Sequence, residues 1–107
     1  MEDQISAYRQ EIDVIDFQLL DSLAQHKKQE TEQLLKKRLT VVKKLAVYKK
    51  EHHIPLFDPE REAFVFRTRK AYGTKIGLPE EEVKHFFSDV LLCSHKVIET
   101  IFQNKEI

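Results

Sequence analysis

Residues 38–62 read RLTVVKKLAVYKKEHHIPLFDPERE. Arg38 and Lys49 stand eleven positions apart, which on an α-helix separates them by only about 20° around the axis and roughly 16 Å along it. Val42 and Leu45 lie between them on the same stripe, so both cations are anchored where a helix normally places its core side chains. Soluble helices usually keep Lys and Arg on the opposite face. Pro55 ends this pattern. After it, Asp58 has the chemistry of an N-cap, with Pro59 at the first helical position and acidic residues in the first turn. Arg61 adds a third cation in that same turn. Three cations fixed to the inner side of a helical bundle suit a small, multiply anionic ligand.

The rest of the composition agrees with a bundle. The 107 residues suffice for one domain, spanning 1–107, with a single modest core. Hydrophobic residues make up 41% and charged residues 34%, with only two glycines and three prolines, a balance that favours an all-α protein. Eighteen basic residues match eighteen acidic ones, so no net positive field draws the chain to nucleic acid. The Lys-Lys pairs at 27–28, 36–37, 43–44 and 49–50 read as solvated helix faces, Lys49 excepted. Cys93 lies in an apolar run and reads as a small buried hydrophobe. No run reaches transmembrane length, and the Met-Glu-Asp-Gln start carries no apolar leader, so a cytoplasmic location is expected. His52-His53 lacks further ligands at helical spacing, so no metal is assigned.

Ahead of Arg38, Ile5, Tyr8, Ile12, Ile15 and Leu19 form a helical seam. It lapses over Gln25–Gln33, which holds no apolar residue, and resumes at Leu34 and Leu35. With no Gly or Pro in the gap, local propensity favours one uninterrupted helix, although a segment that buries nothing would lose little by bending. Beyond Pro55, a second helix is expected to stop at Gly73. A third starts at Pro79 and buries Val83, Phe87, Val90, Leu91, Ser94, Val97, Ile98 and Ile101. The architecture is thus one long N-terminal helix, with a hinge near 25–33 as the alternative, and two shorter ones.

Taken together, Tyr8-Arg9-Gln10-Glu11-Ile12-Asp13 with Ile15-Asp16 and Leu19-Leu20, then Arg38, Tyr48-Lys49-Lys50-Glu51-His52, Asp58-Pro59-Glu60-Arg61-Glu62, and Phe87 with Ser94 seven residues on resemble the AroQ-type, all-helical chorismate mutases. The resemblance implies the rearrangement of chorismate to prephenate, on the way to phenylalanine and tyrosine. It implies that Arg9 and Arg38 bind substrate carboxylates and that Lys49 donates to the breaking ether oxygen. Asp58 and Glu62 would hold the ring hydroxyl side, and Arg61 and Ser94 would complete the polar lining. It further implies a homodimer in which Arg9 reaches across from the partner. Such a reaction needs no cofactor: the protein holds a flexible dianion in a compact geometry and meets developing charge with donors already in place.

Two features depart from that pattern. Four residues after Ser94 the family usually carries a Gln or Glu that hydrogen-bonds the ether oxygen; here the residue is Ile98. Glu99 follows, but one residue turns a helix by about 100°. The spacing from Arg9 to Arg38 is also about a dozen residues longer than the family's. Kept helical, the extra segment would add roughly 18 Å and rotate the N-terminal seam by about 120° relative to Arg38. Bent, it would let one chain build the bundle that the family assembles by exchanging helices between two chains, and a monomer becomes possible. An isochorismate pyruvate-lyase-like reaction would use a similar pocket, and the residues do not separate the two. From another class, a catalytically impaired ligand-sensing or interaction module is the reading that Ile98 and the insertion favour.

Overall fold

The computed structural model describes residues 2–55 and 57–103; Leu56, in the loop before Asp58, lies outside them. Four helices follow one another: α1 (Glu2–Ala24), α2 (Lys28–Glu51), α3 (Pro59–Lys75) and α4 (Glu80–Gln103), with no strand among the described residues. The all-helical expectation holds. The uninterrupted N-terminal helix does not.

The break falls at residues 25–27, the very start of the apolar-free segment. His26 takes a left-handed conformation, φ 57°. The amide of Lys27 donates back to Ser22 O at 2.9 Å and that of His26 to Leu23 O at 3.2 Å, so the last carbonyls of α1 are satisfied without further helix. A left-handed L-residue costs roughly 1–2 kcal/mol, and histidine visits that region more readily than most. In return, Ile12, Ile15 and Leu19 fold back onto Val41 and Val42, and all five are buried. Each such side chain contributes about 1.5–3 kcal/mol, so the bend wins over the local preference for helix. Nor does the segment bury nothing. Thr31 is buried, and its hydroxyl lies 2.6 Å from that of Ser22, tying the two helices across the turn.

The other two turns close in the same way. His53 has φ 55°, with Ile54 N–H donating to Lys49 O at 2.8 Å and His53 N–H to Lys50 O at 3.3 Å. Gly77 has φ 93°, with Leu78 N–H donating to Gly73 O at 2.8 Å and Gly77 N–H to Thr74 O at 3.1 Å. Gly77, not Gly73, is therefore the stop of α3. Gly73 sits buried within the helix, where a Cβ would come within 2.6 Å of Val83 Cγ2; its bareness lets α3 and α4 close together. The N-cap of α3 is as expected: Asp58 Oδ1 accepts from Arg61 N–H at 3.2 Å, with Pro59 next.

A second buried cluster, Leu20, Val65, Val83, Phe87 and Val90, joins α1, α3 and α4. Cys93 is exposed rather than buried, because the buried positions of α4 run Val83, Phe87, Val90 and Ser94 and leave Cys93 facing outward. Among the described residues no helix is long and apolar enough to cross a membrane.

Candidate functional site

Between the two clusters the helices leave a pocket with a volume of about 90 Å³. Arg9 enters it from α1, Arg38 and Lys49 from α2, Asp58, Arg61 and Glu62 from the start of α3, and Ser94 from α4. All seven residues singled out in the sequence line this one cavity. Arg9 belongs to the same chain as the rest, because the bend at His26 returns α1 along α2.

The cations are held firmly. Arg38 is only 3% exposed; its Nε donates to Asp16 Oδ1 at 2.7 Å and its Nη1 to Ser94 Oγ at 2.8 Å. Ser94 in turn donates to Val90 O at 3.0 Å, so its hydroxyl accepts from Arg38 and braces it. Arg61 Nη2 donates to Asp13 Oδ1 at 2.8 Å. Arg9 Nη2 donates to Asp58 Oδ2 at 3.0 Å. Lys49 is buried, and burial first, then the charges of Arg9 and Arg61, push its pKa below the usual lysine value, with Asp58 pulling the other way. The Asp58 carboxyl is held below its usual range, chiefly by the Arg61 amide and then by Arg9, against a smaller penalty from burial. For Asp13 burial acts against ionisation, but the hydrogen bonds and charges of Arg61 and Arg69 outweigh it and lower the pKa.

Ile98 lines the pocket and also packs against the Ile12–Val42 cluster, so it continues the apolar stripe of α4. Glu99 is exposed and offers the pocket no replacement.

Four residues that shape the site were not among the candidates. Asp16 is fully buried and joins Arg38 to Arg69. Asp13 joins Arg61 to Arg69. Arg69 is itself fully buried, and His95 contacts Glu62 on the pocket wall with the Phe57 ring centred 4.5 Å from its own. A signal existed for Asp16: it stands four residues after Ile12 and three before Leu19, a charge on the seam, like Arg38 on its stripe. Arg69 follows Arg61 by eight residues, about 80° further round the helix, and the two meet at Asp13.

Fold and pocket define an all-helical protein that gathers cationic side chains on one small cavity. The chain belongs to the chorismate mutase type II family, which it matches over residues 29–102. The matched segment opens with the start of α2, so α1 and Arg9 lie outside it. The chain is also 29% identical over 92 residues to the T-protein of Enterobacter agglomerans, covering 86% of this chain and 21% of that one. It thus spans about a fifth of the length of that curated relative. No solved structure matches it.

Proposed function

We propose that this chain converts chorismate to prephenate by binding the dianion in a reactive conformation, without covalent catalysis or a cofactor. The observation that carries the reading is the convergence of Arg9, Arg38, Lys49 and Arg61 with the acceptors Asp58 and Glu62 on one small pocket. A pericyclic rearrangement asks for no nucleophile. It asks that two ends of a flexible molecule be held together, an entropic saving that a clamp of fixed groups provides. Arg9 and Arg38 would take the two carboxylates, since planar guanidiniums match them in shape. Lys49 would meet the charge that develops on the ether oxygen, in a site where burial strengthens the interaction. Asp58 and Glu62 would accept from the ring hydroxyl, and Arg61 and Ser94 would complete the polar wall, Ser94 by steadying Arg38.

In this reading one chain is sufficient for a complete site, and a homodimer is not needed for activity. The step belongs to the supply of prephenate for phenylalanine and tyrosine. Because Ile98 presents no donor to the pocket, Lys49 carries the ether oxygen alone. That feature favours a second reading, a catalytically impaired ligand-sensing or interaction module, while an isochorismate pyruvate-lyase-like elimination would use the same cavity.

The test is direct. Purified protein is incubated with chorismate, and chorismate loss and prephenate appearance are followed, with Lys49→Ala as control. Prephenate formation that the substitution abolishes is the expected result. Folded protein at high concentration that leaves chorismate untouched would overturn the proposal, and isochorismate would then be the next substrate.

A further inference from the structure

Two aspartates of α1 steady the pocket arginines, yet two carboxylates set against two guanidiniums would also cancel them. Arg69 lies behind both. Its Nη2 donates to Asp13 Oδ1 at 2.6 Å and to Asp16 Oδ2 at 2.7 Å, and its Nε to Asp16 Oδ2 at 3.0 Å. Its Nη1 donates to Thr68 Oγ1 at 2.8 Å, and its guanidinium carbon lies 5.2 Å from the Phe17 ring centre. With a side chain 1% exposed, Arg69 does not line the cavity.

We infer that Arg69 is a positioning residue for the pocket, tying Asp13 and Asp16 together and supplying the charge that leaves Arg38 and Arg61 available to an anionic ligand. Arg38, Arg61 and Arg69 set against Asp13 and Asp16 leave the network one positive charge in surplus. Without Arg69 the sum is zero. Geometry points the same way. Asp16 Oδ2 takes two bonds from Arg69, whereas Arg38 Nη2 stands off at 3.4 Å. Deprived of Arg69, that buried oxygen would be left under-satisfied, a costly state that draws Arg38 toward it and out of the ligand's reach. A lysine would keep the charge and lose the fork that spans two carboxylates. This inference rests on the proposed reading of the pocket as a dianion site.

The test uses the full chain carrying Arg69→Lys, Arg69→Gln, or Arg69→Gln with Asp13→Asn. The double variant removes one charge of each sign and so restores the surplus. Arg69→Gln is expected to lower kcat/KM for chorismate by about tenfold or more, and the double variant to regain about threefold of that loss. Arg69→Lys should fall between them. In parallel, the side-chain N–H resonances of Arg38 and Arg61 are followed by NMR and are expected to shift or broaden in the single variants. A purely structural role would lower the melting temperature and leave those resonances and the kinetic constants of folded protein alone. Folded Arg69→Gln with wild-type kcat/KM and unshifted resonances would overturn the inference. Should that variant not fold, the same result from Arg69→Lys would do so. If the unaltered protein leaves chorismate untouched, the proposed function fails, and the resonances still decide whether Arg69 positions its two neighbours.

Discussion

Arg9 Nη2 donates to Asp58 Oδ2 at 3.0 Å although 49 positions separate the two in the chain. The contact joins the second turn of α1 to the cap of α3 within one molecule. It is part-exposed on both sides, and such pairs contribute at most about 1 kcal/mol to stability. Arg9→Ala should therefore raise KM for chorismate with little change in melting temperature. Mixing and refolding Arg9→Ala chains with Lys49→Ala chains should yield no more turnover than either alone. Recovery of activity in the mixture would mean that Arg9 serves a partner's pocket.

Ile98→Gln should raise kcat for prephenate formation by on the order of 10², the value of one preorganised donor. The half-buried isoleucine leaves a modest packing loss, about 1 kcal/mol, to be read in denaturation. An unchanged kcat in folded Ile98→Gln would mean that the ether oxygen does not sit against this part of α4.

His26→Gly should stabilise the protein by about 1 kcal/mol, because glycine takes φ 57° without the Cβ clash. A higher urea midpoint with an unchanged slope is the expected outcome. His26→Ala keeps the Cβ and should show no such gain.

Lys49 makes activity and stability move oppositely with pH. Protonated Lys49 is the working form, so kcat/KM should fall as pH rises through its depressed pKa, with an alkaline limb below the ordinary 10.5. Arg9→Gln removes one like charge and should move that limb upward. For stability the sign reverses: between the folded and unfolded values the unfolded chain binds more protons, so stability from this group rises with pH. Lys49→Met should remove the dependence of stability, read by denaturation across that pH range.

Much of this was legible because charges on apolar stripes are conspicuous. Arg38 and Lys49 stood out through helical spacing, Asp58 and Glu62 entered through the family resemblance, and one cavity holds them all. The bend at His26 was legible only as the alternative, a hinge near 25–33 set against an uninterrupted helix. Propensity over Gln25–Gln33 favours helix, and the competing term is the burial of Ile12, Ile15 and Leu19 against residues some twenty to thirty positions later. Local preference cannot weigh a contact made elsewhere. Gly73 misled for a similar reason. Its lack of a side chain serves the approach of Val83, a tertiary demand that looks, in sequence, like a stop. Arg69 escaped notice because its carboxylate partners belong to another helix.

The turn at residues 25–27 also sets how the pocket responds to scarcity. A short tether holds the apolar face of α1 beside α2 at an effective concentration on the millimolar scale. For the proposed single-chain site, assembly is then a first-order event, indifferent to how many copies of the chain are present. Where a pocket shared between chains would come apart on dilution, the proposed single-chain site would keep its full set of charged groups down to the solitary molecule.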